Sequence, residues 1–165
     1  MKIISLNTWG ARAGHDNFLE FLKKYNDSVD VFCLQEVWNV NDEEDLRIYN
    51  SLQDAIVGGA VLRGIMNDLF QKVSNILTNF DGFCRPHYGK HYGLATFINK
   101  KINLKEEGDV FVHKDRNYIP SGDVGNHARN LQYVTIKTKN GLRTIINFHG
   151  FWNGKGKTDT EDRLL

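Results

Sequence analysis

The sequence predicts an α/β fold, a mixed β-sheet with covering helices. Three observations carry that prediction: a strand–helix–strand unit within residues 2–38, a long apolar stripe at helical spacing between residues 62 and 80, and a series of β-rich segments from residue 83 onward. At 165 residues the chain is long enough for one ordinary domain. Its 41% hydrophobic and 25% charged residues are those of a globular protein, and a net charge of +1 argues against an extended surface for a long polyanion. Two cysteines, Cys33 and Cys84, make neither a disulfide framework nor a zinc site.

The first strand is predicted over residues 2–8, where Ile3-Ile4-Ser5-Leu6 leads to Asn7. A polar turn follows over 11–17, with Asp16 as the expected N-cap. Phe18, Leu19, Leu22 and Tyr25 then keep helical spacing while Glu20, Lys23 and Lys24 face outward. Asn26-Asp27-Ser28 breaks that helix. The run Val31-Phe32-Cys33-Leu34 reads as a buried strand, and it delivers Gln35-Glu36 at its end. A strand–helix–strand crossover is right-handed and leaves both strand ends at one edge of the sheet, so Asn7 and Glu36 can meet there. A buried charge is costly unless partnered. An amide and a carboxylate at one edge make a half-site for a hard divalent ion.

The acidic run 42–45 suits a helix start, which the helix dipole favours, and helix continues over 46–56 until Gly58-Gly59. Leu62, Ile65, Met66, Leu69, Phe70, Val73, Ile76, Leu77 and Phe80 predict a further helix that covers the sheet and ends at Asp81-Gly82. Strands are predicted over 83–87, 93–98, 109–113, 130–137 and 142–148, the last two joined by a type I′ hairpin at Asn140-Gly141. Residues 114–128 form a polar loop. The final predicted strand ends in Asn147 and His149, which share a face by period two. Three strand ends thus present polar groups, and open α/β sheets bind ligands at that edge. Thr158 and Glu161 form a capping box that announces a helix, which the chain is expected to continue beyond Leu165.

Ser5-Leu6-Asn7-Thr8-Trp9-Gly10, Leu34-Gln35-Glu36-Val37-Trp38, Tyr92-Gly93-Leu94-Ala95 and Asn147-Phe148-His149 resemble, in order and spacing, successive motifs of the endonuclease/exonuclease/phosphatase superfamily. This is the fold of pancreatic-type deoxyribonuclease, apurinic endonucleases, inositol phosphatases and neutral sphingomyelinases. The resemblance implies a four-layer α/β/β/α sandwich of which residues 1–165 are the N-terminal half, truncated at the C-terminus, with each half supplying one sheet. It implies that Glu36 is the principal ligand of Mg2+, with Mn2+ as the alternative, and that Asn7 lies beside metal and phosphate. It also implies that His149 hydrogen-bonds a non-bridging phosphate oxygen. Arg129 either reaches phosphate by bidentate hydrogen bonds or supports the sheet through an ion pair. Tyr92 and His91 line the cleft or pack as core, and Asn147 either touches substrate or orients its neighbours.

The family's Gly-Asp-x-Asn and Ser-Asp-His segments are absent from residues 1–165. Ser121-Gly122-Asp123-Val124-Gly125-Asn126-His127 has the wrong spacing and place for either, and is set aside as a chance likeness. The leading expectation is therefore part of a Mg2+-dependent phosphoesterase, inactive alone, whose substrate is a lipid head group or small phosphodiester before long nucleic acid. The rivals are a non-catalytic assembly module that pairs or self-associates through a bare sheet face, and a plain α/β domain with structural strand-end polar groups. No transmembrane span or leader is visible in the sequence, so a cytoplasmic location is expected.

Overall fold

A computed structural model describes residues 1–40, 66–88, 91–116, 118 and 127–150. The helix expected over 46–56, the acidic run 42–45 and the capping box at 158–161 lie outside the described residues.

Strand β1 (Ile3–Asn7) runs parallel to β2 (Val31–Trp38), in the register Ile3↔Val31 to Asn7↔Gln35, and helix α1 (His15–Tyr25) makes the crossover. Gly14, not Asp16, is the N-cap of α1. It takes φ +136, and Asp16 sits in the first helical turn, where its charge still suits the dipole. Strand β4 (Tyr92–Asn99) pairs antiparallel with β2, and β3 (Phe80–Tyr88) pairs antiparallel with β4. The order β1-β2-β4-β3 is a mixed sheet.

Helix α2 spans Leu69–Ile76, shorter than its apolar stripe implied, and Leu77 leaves helical geometry. Asp81-Gly82 does not end a helix but lies inside β3. Phe80 satisfied a helical period and a strand period equally, and the sheet claims it opposite Asn99. Gly82 has a packing role there, since a Cβ would come within 2.6 Å of the Phe97 ring. Helices α1 and α2 cover one face of the sheet through a core that includes Leu22, Phe32, Leu34, Leu69 and Val73.

Strands β5 (Asn103–His113), β6 (Arg129–Thr138) and β7 (Gly141–Phe148) form a second, antiparallel sheet. The β6–β7 turn is Lys139-Asn140, one residue earlier than expected. Neither residue has positive φ, whereas Gly141 does (φ +103), so the turn is not type I′. The second sheet packs on the first through Val31, Cys33, Ile98, Val134 and Ile136. The first sheet's inner face is therefore covered from within the chain, and the expectation of one sheet in residues 1–165 is corrected to two. Large exposed apolar side chains lie one layer further out, on the outer face of the second sheet: Val110, Val112, Leu142, Ile146 and Phe148 are 44–61% exposed. Among the described residues no helix is long and apolar enough to cross a membrane.

Candidate functional site

Strand alternation alone would turn Glu36 the wrong way. Phe32 and Leu34 face the helices, and period two would send Glu36 after them into that core. A β-bulge prevents this. Between Leu34 and Val37, β2 advances three residues while β4 advances two, from Ala95 to Gly93. The extra residue takes up Glu36, whose φ is +57. A left-handed non-glycine residue costs about 1–2 kcal/mol, and bulges beside sites re-aim side chains in this way. Val37 rejoins the helix-facing core, so only the carboxylate is diverted. Thr8 pins the bulge from β1: its amide donates to the Gln35 carbonyl at 3.0 Å, and its hydroxyl lies 2.9 and 3.0 Å from the carbonyls of Gln35 and Glu36.

Glu36 thereby meets Asn7 and His149. The Asn7 amide nitrogen donates to Glu36 Oε1 at 2.9 Å and lies 3.3 Å from His149 Nε2. His149 Nε2 is 3.5 Å from the same carboxylate oxygen. The Trp9 backbone N–H donates to Asn7 Oδ1 at 2.8 Å, which fixes the orientation of that amide. Residues 7, 36 and 149, expected from the sequence, therefore converge. Burial and the nearby Arg129 charge hold the His149 pKa below its ordinary value, against the pull of Glu36, so the imidazole is neutral at pH 7.

The remaining expected residues differ in position. Arg129, at the start of β6, is 3% exposed, and its charge lowers the pKa of His87, His127 and His149. Tyr92 packs between Trp38, ring centroids 4.9 Å apart, and the edge of His87 at 5.1 Å. Burial and the Glu36 charge push its hydroxyl pKa up. His91 is buried. Asn147 stands behind the site rather than at its surface. Its Oδ1 accepts from Gln35 Nε2 at 2.7 Å, and its Nδ2 donates to the carbonyls of Leu34 and Ala95 at 3.1 Å. Its hydrogen-bonding capacity goes to joining the two sheets.

Sequence reasoning missed a second group. His87, on β3, is 1% exposed and stacks on His127 at 5.0 Å. Asn130 Nδ2 donates to Asp109 Oδ2 at 2.9 Å and to the Arg85 carbonyl at 3.1 Å. Its Oδ1 must then face His87 Nδ1, at 3.2 Å, which fixes the ring proton on Nδ1. Arg85 also pairs with Glu107, and Asp109 lies 3.6 Å from Arg116. Burial lowers the pKa of His87 well below the ordinary range and brings that of His127 to about 4. Alternation of Phe83, Arg85 and His87 along one strand face was the available signal. His127 ends the segment set aside as a chance likeness, and residues 121–126 lie outside the described residues.

Among the described residues no cluster of three or more His, Cys, Asp or Glu could enclose a metal ion. The Glu36 carboxylate fits a hard divalent cation that takes one carboxylate, keeps several waters and completes its shell with phosphate oxygens, while Asn7 turns its NH2 group to that carboxylate and its oxygen to the Trp9 N–H. This donor set does not fit a closed protein cage.

A sequence model described as the Endonuclease/Exonuclease/phosphatase family matches residues 4–155. No curated protein matches the chain. Among solved structures, the chain is similar to the mannosyl-6-phosphatase of Bacteroides thetaiotaomicron VPI-5482, at 16% identity and TM-score 0.57 over 93% of this chain and 52% of that one. It is also similar to a functionally unknown conserved protein from Enterococcus faecalis V583, at 14% identity and TM-score 0.59 over 92% of this chain and 53% of that one. A further similar structure is an endonuclease/exonuclease/phosphatase family protein from Bacteroides thetaiotaomicron, at 13% identity and TM-score 0.55 over 93% and 51%. The chain thus spans about half the length of these proteins, and at such identities the likeness is one of fold.

Proposed function

The chain belongs to the Endonuclease/Exonuclease/phosphatase family, and from that premise we propose that it carries the cation and phosphate side of a phosphoester hydrolase site. The observation that supports this best is the convergence of Asn7, Glu36 and His149 within 3.5 Å, with Glu36 held there by a strained bulge. Glu36 supplies the anionic oxygen for Mg2+, or alternatively Mn2+. Asn7, its amide fixed by Trp9, holds the carboxylate in place and presents the neighbouring polar surface to phosphate. His149, neutral at pH 7, offers a ring N–H to a non-bridging phosphate oxygen. Arg129 stands behind these groups and adds positive potential to the phosphate position, Tyr92 packs the wall beside it, and Asn147 positions the strands that carry Glu36 and His149. The bound cation would supply Lewis acidity and a template for in-line attack by water.

The family's Ser-Asp-His segment, which would supply a general base for that water, is absent from residues 1–165. The chain alone is therefore expected to bind Mg2+ and inorganic phosphate without turnover. Calorimetric titration tests this: saturable Mg2+ binding that Glu36→Gln removes supports the reading, and absence of Mg2+ binding by the unaltered chain overturns it. Hydrolysis of bis(p-nitrophenyl) phosphate by this chain, abolished by Glu36→Ala, would overturn the expectation of no turnover.

A second reading, assembly of two copies, is favoured by the exposed apolar side chains on the outer face of the second sheet. Sizing chromatography decides it. A dimer that Ile146→Lys dissociates supports assembly, and a monomer at all concentrations removes it.

A further inference from the structure

We propose that Trp9 and Arg12 form a stacking subsite beside the Asn7–Glu36–His149 cluster, one that takes the planar heteroaromatic ring of a nucleoside phosphate. The proposal deepens the phosphoesterase reading and rests on it. Trp9 is 53% exposed, although Thr8 before it and Gly10 and Ala11 after it are buried. Its backbone is left-handed at φ +48, in a run with Gly10 at +57 and Ala11 at +62. A tryptophan gains nothing in solvent from such a conformation, and strained residues of this kind gather at ligand sites. The turn is held closely: Ala11 N–H donates to the Thr8 carbonyl at 2.8 Å, Arg12 N–H to the Trp9 carbonyl at 3.1 Å, and Met66 N–H to the Gly10 carbonyl at 2.9 Å. A well-fastened turn thus carries an indole out of the protein.

Its position ties it to the site. The Trp9 N–H bonds Asn7 Oδ1, so the indole begins one hydrogen bond from the amide that holds Glu36. The Arg12 guanidinium carbon lies 4.9 Å from the indole centroid, and among the described residues no carboxylate pairs with Arg12. A cation over a ring draws down the negative potential of its π face. That weakens the ring as a partner for sugar C–H groups and improves it for stacking with an electron-rich base. A lipid chain would need a broader apolar surface than one indole with a guanidinium over it.

Calorimetry on the whole 165-residue chain with Mg2+ compares adenosine 5′-monophosphate, ribose 5-phosphate and inorganic phosphate. The nucleotide is expected to bind about tenfold tighter than the sugar phosphate, the scale of one stacked base. Trp9→Ala should erase that margin, and Trp9→Phe should retain part of it. Adenosine alone should quench indole fluorescence in the unaltered chain and not in Trp9→Phe, in which Trp38 and Trp152 remain. Equal affinity of the unaltered chain for nucleotide and sugar phosphate overturns the proposal, whatever the variants do. A Trp9→Ala variant that weakens all three ligands equally also overturns it, because that is the mark of a structural role. Phosphate binding without the nucleotide margin sinks the subsite and spares the phosphoesterase reading. Adenosine quenching without any phosphate binding does the reverse.

Discussion

The seam between the two sheets has two ends of opposite character. At one end Val31, Cys33, Ile98, Val134 and Ile136 meet as plain hydrocarbon and thiol. At the other, buried Gln35, Thr96, Gln132, Asn147, Asn130 and His87 meet as a ladder of hydrogen bonds that includes Thr96 Oγ1 donating to Gln132 Oε1 at 2.8 Å and Gln132 Nε2 donating to the Phe83 carbonyl at 2.9 Å. The apolar end tolerates approximate packing, because hydrophobic burial has no direction. The polar end accepts only one arrangement, because a buried donor without its acceptor is expensive. Asn7, Glu36 and His149 stand at the polar end, where the backbone that carries them is held in a single geometry.

The largest test breaks the polar end. Asn147→Ala removes the donor to Leu34 and Ala95 and the acceptor of Gln35, and is expected to cost about 3 kcal/mol of unfolding free energy in urea, at 1–3 kcal/mol per orphaned group. Acid makes the next largest demand there. The folded-state pKa of His127, about 4, lies below its ordinary value of 6.5, so between those values the folded chain binds fewer protons than the unfolded one. Stability from this residue is complete above pH 6.5 and falls as the pH drops toward 4, by about 2 kcal/mol after allowance for partial exposure. Thermal unfolding across that range should show a steeper loss in the unaltered chain than in His127→Phe. At the apolar end, Ile136→Val should cost only about 1 kcal/mol in the same urea experiment. A cost equal to that of Asn147→Ala would erase the contrast between the ends. The smallest effect is a gain: Glu36→Gly relieves the left-handed strain, less the chain entropy of glycine, so the cation-free chain should be about 0.5 kcal/mol more stable while Mg2+ no longer stabilises it.

The strand-end residues were legible because each follows an apolar run, and the right-handed crossover puts the ends of β1 and β2 at one edge of the sheet. The bulge was not legible. Its two-against-one count depends on Gly93 and Ala95 of a strand sixty residues later. The polar ladder was hidden for a related reason. Gln132 and Asn130 sit where alternation marks an inner face, yet polar residues there read as outward until their partners on β3 and β4 are known. His87, Asn130, Asp109 and His127 come from four separate segments, and no local period joins them. The second sheet's strands were visible individually, but nothing in their sequence said that they form a sheet of their own over the first. The excess length assigned to α2 arose because Phe80 satisfies two periods, and only pairing with Asn99 chooses between them.

The bulge at Glu36 lies in β2, an interior strand flanked by β1 and β4. Shortening the chain by a single residue there would let the ladder close without interruption, and the sheet would be, if anything, more regular. The acid would then be withdrawn, and with it the cation site proposed for it. In this architecture the proposed chemistry is open to loss by the smallest possible deletion while shape is kept, so a folded descendant without the carboxylate lies one codon away.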